Sequence, residues 1–245
     1  MMALIEYIWL AVYLFALVCL FTYGMNCYLL MILYRLNRPG AIKRHKKLKN
    51  FFYQSTNPKN WPHVTIQLPI FNERYVVERL IDSVCRLDYP GSLLEIQVLD
   101  DSTDDTIHIA KSTVEKMKSR GVDIVFIHRQ NRTGFKAGAL QEGLAAAKGE
   151  LIGIFDADFI PQPNFLKETV PYFEDRKIGM LQTRWGHINH DYSLLTKAQS
   201  IGIDGHFGVE QASRAFSGLF MNFNGTAGIW RKKPLLTPGA GRPTR

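Results

Sequence analysis

The sequence predicts a doubly wound α/β sheet preceded by a membrane-spanning helix. Three observations predict it. Short apolar runs end in acidic or amide clusters: VTIQLPIFNER in Asn72 and Glu73, LEIQVLDDSTDDT in Asp100 and Asp101, ELIGIFDAD in Asp156 and Asp158. Helical patterns separate the runs, which makes them parallel strands of one sheet. Finally, the first 36 residues are almost continuously apolar.

From Ala3 to Leu36 only Glu6 and Arg35 are charged. The stretch exceeds the roughly 20 residues a bilayer span needs. Tyr7, Trp9 and Tyr34 suit interfacial aromatic belts. A buried hairpin of two short helices broken near Gly24 is the competing reading. Residues 37–62 are basic and contain Pro39, Pro58 and Pro62, as expected of a linker or juxtamembrane helix. The basic residues Arg35, Arg38, Lys43, Arg44, Lys46, Lys47 and Lys49 follow the apolar stretch, so the remainder is expected in the cytoplasm.

The apolar run Val64–Ile70 predicts a first strand. A helix over 76–87 follows, then a turn at Tyr89, Pro90 and Gly91, and a second strand over 94–99. Ser102, Thr103 or Asp104 can cap the next helix, over 105–118, which Gly121 stops. A third strand covers 122–128. The glycine-containing loop NRTGFKAGA leads into a helix ending at Gly149, and a fourth strand covers 151–155. Pro161 and Pro163 open a helix over 164–173. A fifth strand spans 178–184 and a long helical stretch 193–215.

The formal net charge is +8 over 245 residues. Because the basic run adjoins an apolar segment, membrane lipid is the predicted partner rather than nucleic acid. Cys19, Cys27 and Cys85 give neither a disulfide framework nor zinc spacing, in keeping with a reducing compartment for the soluble part.

In parallel sheets the ligand lies beyond the carboxyl ends of the strands. Asp156 and Asp158 stand two apart after a strand, and in an extended segment both face one side. Two carboxylates so placed suit a hard divalent cation that is completed by a diphosphate. Asp100 and Asp101 can cap the following helix or hold a base and ribose. Asn72 and Glu73 can cap the first helix or touch a nucleotide. Lys136, at a helix start, favours an anion. His187, His190 and His206 show no ligand spacing, and Trp185 with Arg184 suits core packing more than a sugar groove.

The segments PIFNE, VLDDSTDDT, NRTGFKAGAL, FDADF, LQTRW and FNGTAGIWR, in this order, resemble the processive family-2 glycosyltransferases. The likeness is to cellulose synthase-like enzymes of the mannan and glucomannan synthase kind, over residues 61–231. It implies the GT-A nucleotide-diphosphosugar transferase fold, a mainly parallel sheet flanked by helices. It also implies inverting transfer of a hexose from UDP-glucose or GDP-mannose to a β-glycan acceptor, as in cell-wall polysaccharide biosynthesis. By resemblance, Phe71, Asn72 and Glu73 lie near the base, and Asp100 and Asp101 on the nucleoside. Lys136 contacts the nucleotide or its phosphates, and Asp156 and Asp158 bind Mg²⁺ or Mn²⁺. The segment Asn222–Gly228, with Asn224, Gly225 and Thr226, lines the acceptor end.

The expected organisation is a transmembrane helix over 1–36, a linker over 37–62, a transferase domain over 63–231 and a disordered tail over 232–245. The tail KKPLLTPGAGRPTR departs from the family, and the family's Thr-Glu-Asp and Gln-x-x-Arg-Trp motifs do not occur. The catalytic base is therefore unassigned; Asp204 or Glu210 would need unusual geometry. A truncated synthase that does not polymerise is the expectation. A sugar-nucleotide-binding or assembly subunit, and a non-processive transferase to a lipid acceptor, are the alternatives. The expected location is a single-pass protein of the plasma, inner or Golgi membrane.

Overall fold

The computed structural model of the chain describes residues 2–235. It divides into two compact units: Met1–Arg44 with Arg184–Asn222, and His45–Thr183 with Phe223–Arg245. The expected disorder of 236–245 lies outside the described residues.

One helix, α1, runs over Met2–Ser55, unbroken at Gly24 and with Pro39 inside it. The hairpin reading is thereby corrected. Most of the expected linker is helical too. Lys, Arg and Leu are good helix formers, and Pro39 removes only one backbone donor. Many apolar side chains on α1 are exposed, among them Tyr7, Trp9, Phe15, Leu20 and Phe21. Leu30 is an exception. It is buried where the Ser213 hydroxyl donates to its carbonyl at 2.9 Å, and one turn on Tyr34 stacks on Phe216.

In the first unit α6 covers Leu194–Gly205, capped by Ser193 and Thr196 in a reciprocal box. A π-helical turn, His206–Gln211, joins it to α7 over Ala212–Phe216. The expected 193–215 helix thus forms, with one wide turn inside it.

The second unit holds the sheet. Its strands are β1 Val64–Ile70, β2 Leu94–Asp100, β3 Ile124–His128, β4 Leu151–Ile154, β5 Met180–Gln182 and β6 Gly228–Arg231, in the order β3-β2-β1-β4-β6-β5. The first four are mutually parallel. The sheet is mainly parallel, as expected, and its far edge is antiparallel. β6 pairs antiparallel with both β4 and β5, so β5 never touches β4. Connecting helices are α2 Val77–Val84, α3 Thr106–Ser119, α4 Phe135–Ala146 and α5 Phe165–Thr169; α8 covers Lys232–Leu235. Pro171 follows α5, and the chain tightens there into a 3₁₀ turn over Val170–Glu174, where one long helix was expected.

Val64, Ile66 and Leu68 on β1 and Ile96 and Val98 on β2 are wholly buried. The alternate positions carry polar groups that hydrogen-bond across the strands, although Gln97 Nε2 finds no partner among the described residues. The Thr65 hydroxyl donates to Glu95 at 2.6 Å, and the Gln67 amide donates to Gln97 at 3.0 Å. Helix α4 lies over this polar ladder at Gly143. A Cβ there would stand 2.6 Å from Gln67 Nε2 and 2.8 Å from Gln97 Oε1.

Candidate active site at the carboxyl rim

The carboxyl ends of β1, β2 and β4 bring three sets of predicted residues to one rim. Beyond β4, Asp156 and Asp158 lie in a turn closed by the Phe159 amide on the Asp156 carbonyl at 3.1 Å. The extended geometry expected for this pair is therefore absent, because the strand ends at Ile154. Both carboxylates nevertheless act on Glu73. Partial burial, then Asp158 and Asp156, push the Glu73 carboxyl above its usual range. Three acids from two strand ends thus share one electrostatic site.

Lys136, in the first turn of α4, forms an ion pair with Asp156 and donates to the Gly225 carbonyl at 2.9 Å. The Asp156 amide donates to the Thr226 hydroxyl at 2.8 Å, and Thr226 is buried. The Asn224 amide donates to Gln182 Oε1 at 2.9 Å. Antiparallel pairing of β6 with β4 brings this segment here: Gly228 stands opposite Ile154, and the Ala227 amide donates to the Ile154 carbonyl. Lys136, Asp156, Gly225 and Thr226 are therefore neighbours, although 90 sequence positions separate Lys136 from Thr226.

Asn72 is left-handed, with φ at 55°. Its amide donates to Ser102 Oγ at 2.9 Å, and its Oδ1 accepts from the Thr103 amide at 2.9 Å. It staples the end of β1 to the end of β2 and does not cap α2. The first amides there instead donate to the Glu73 carbonyl. Asp104 supplies the cap-like contact before α3, accepting from the Thr106 amide at 3.0 Å.

Asp100 and Asp101 are buried and engaged with the protein. Asp100 meets His128 Nδ1 at 2.7 Å, and Arg129 grips both oxygens of Asp101 at 2.7 and 2.6 Å. Arg129 also donates to the Thr133 and Phe135 carbonyls, and so shapes the loop before Lys136. Sequence reasoning missed His128 and Arg129. The signal lay in the register, which sets His128 opposite Asp100. Also missed was Arg132, whose guanidinium lies over the Phe71 ring.

Among the described residues, no three His, Cys, Asp or Glu side chains could cage an ion alone. The donor set fits a cation completed by substrate. Mg²⁺ is commonly held by one or two carboxylates plus phosphates, and Asp156 and Asp158 supply two at the end of β4.

This sheet, with acids at its carboxyl rim, has the GT-A fold of nucleotide-sugar transferases. It superposes on the mannosyltransferase PcManGT from Pyrobaculum calidifontis, solved with GDP-Man and Mn²⁺, at a TM-score of 0.60 and 22% identity, covering 86% of this chain and 57% of that one. S. aureus TarS 1-349, in complex with UDP-GlcNAc, matches at 0.50 and 18%, covering 71% and 46%. The chain belongs to glycosyl transferase family 2, whose model matches residues 65–233. It is 44% identical to glucomannan 4-beta-mannosyltransferase 2 of Arabidopsis thaliana over 177 residues, 70% of this chain and 33% of that protein. Glucomannan 4-beta-mannosyltransferase 1 of Oryza sativa subsp. japonica is likewise 44% identical, over 70% and 34%. The chain spans about one third of the length of these curated relatives.

Proposed function

We propose that the chain is a membrane-anchored, inverting glycosyltransferase that takes a hexose from UDP-glucose or GDP-mannose for a growing β-glycan. The observation that carries this reading is the placement of Asp156 and Asp158 just beyond β4, with Lys136 ion-paired to Asp156 and bonded to the Gly225 carbonyl. Asp156 and Asp158 would hold Mg²⁺ or Mn²⁺, which as a Lewis acid stabilises the departing nucleoside diphosphate. Lys136 offsets the negative charge of Asp156 and is placed to donate to a phosphate oxygen. Asn224, Gly225 and Thr226 line the acceptor side of that pair. Phe71, Asn72, Asp100 and Asp101 form the nucleoside side. The general base is assigned to no residue of this chain.

The transferase domain is drawn over 63–231 and the anchor over 1–36. Exposed aromatic and aliphatic side chains along α1 support the anchor, because a bilayer would cover them. The basic run after it supports a cytoplasmic transferase domain in a plasma, inner or Golgi membrane.

The test is calorimetric titration of UDP-glucose and GDP-mannose, with and without Mn²⁺, into the wild type and Asp158→Ala. At least one donor is expected to bind with Mn²⁺ dependence, weakened about tenfold or more by the substitution, on the order of 1.4 kcal/mol. Equal affinity under all conditions overturns the metal assignment.

A further inference from the structure

Among the described residues outside α1, most exposed large apolar side chains fall in Arg184–Asn222, the part of the chain that forms one unit with the first half of α1. Phe216, Leu219 and Phe220 are three of them, at the end of α7 and just after it. Gly218, with φ at 67°, stops that helix, and the Leu219 amide donates back to the Arg214 carbonyl at 2.8 Å. The turn thus spends that amide inside the chain, while the Leu219 and Phe220 side chains stay uncovered.

Contacts with α1 fix the height of this segment along the anchor. Leu30, Tyr34 and Asn37 lie on successive turns of one helix face. The Ser213 hydroxyl donates to the Leu30 carbonyl at 2.9 Å, Phe216 stacks on Tyr34 with ring centres 6.0 Å apart, and the Asn37 amide donates to Ser217 Oγ at 3.1 Å. Leu30 precedes Arg35 by five positions, about 7–8 Å along the helix axis. The uncharged stretch Tyr7–Tyr34 ends at Arg35, and Arg38 follows, so α1 meets the headgroups there. Ser213, Phe216 and Ser217 therefore stand at the edge of the hydrocarbon.

We propose that Phe216, Leu219 and Phe220 make a second membrane contact, lying among the headgroups and upper acyl chains of the leaflet nearest Arg35. This inference rests on α1 crossing the bilayer. Their level on α1 selects lipid over a soluble partner, since clustered apolar side chains at this depth meet the headgroup and acyl boundary. The Ser213 and Ser217 hydroxyls suit the same place, because both bond to α1 itself and neither needs water. A lone spanning helix is free to turn about its own axis. A contact on one side of it sets which face of the Arg184–Asn222 segment meets the membrane.

The experiment places the full chain, with Cys19, Cys27 and Cys85 replaced by alanine, in phosphatidylcholine nanodiscs. A bimane fluorophore is attached in turn at Leu219→Cys, Phe220→Cys, Leu20→Cys and Lys43→Cys. Quenching is read with lipid spin-labelled near the headgroup, with lipid spin-labelled near the acyl terminus, and with aqueous iodide. The probes at positions 219 and 220 should lose more emission to the shallow label than to the deep one and be shielded from iodide, matching burial of roughly 5–10 Å. The probe at position 20 should respond most to the deep label, and the probe at position 43 chiefly to iodide. Iodide reaching positions 219 and 220 as freely as position 43 overturns the second contact and leaves the anchor standing. Shielding from iodide without quenching by either lipid label means that protein, such as a second copy, covers the patch, and overturns it equally. A probe at position 20 that ignores the deep label overturns the anchor, and the second contact with it.

Discussion

Asp101 is buried and the Arg129 side chain is largely covered, so losing Arg129 strands the carboxylate. Removing one partner of such a pair costs about 3–5 kcal/mol, because the remaining charge stays desolvated. Asp101→Asn should therefore lower the denaturant midpoint strongly. The double variant Asp101→Leu, Arg129→Met should be less destabilised than the two single variants added together. Cys85 offers a second check. Burial, then Asp82, pushes its thiol up to about 11. Alkylation in the native state should be slow at pH 7.5 and accelerate toward pH 11, whereas the unfolded chain should react readily near its ordinary value. Ionisation in the unfolded chain begins first, so this thiol's contribution to stability falls as pH rises through that interval. Fast alkylation at neutral pH would contradict the burial. At this scale the acids themselves were legible, since each ends an apolar run. Their partners were not, because which residue faces Asp100 is a matter of register.

At the level of elements, the four parallel strands were legible because each is a short, mainly apolar run between turn formers. Strand β6 was not. Gly228–Arg231 is four residues long, follows a loop with Gly225 and Ala227 at positive φ, and runs against its neighbours. The contact of Lys136 with Gly225 stayed hidden for the same reason. The polar ladder beneath α4 makes a sharp prediction. Gly143→Ala drives a methyl into Gln67 and Gln97, and overpacking of this kind costs roughly 1–3 kcal/mol. A thermal melt should show the loss. An unchanged midpoint would mean that α4 sits farther from the sheet.

For the whole molecule, α1 decides the company the chain keeps. If it crosses a bilayer, the protein should remain in the membrane fraction after alkaline carbonate washing, and release into the supernatant would refute the anchor. The length and composition of α1 were plain in the sequence, whereas its continuation to Ser55 was one of two readings, because the prolines and basic residues of 37–62 suit a linker as well as a juxtamembrane helix. The placement of β6 has a further consequence, in time rather than space. While the chain is being synthesised, β4 emerges with one edge bare, and the strand that covers it lies roughly 70 residues later, several seconds at about 5–20 residues per second. An open apolar edge recruits other chains. The ribosome-bound nascent protein should thus pass through an interval of chaperone dependence that ends only when Gly228–Arg231 clears the exit tunnel.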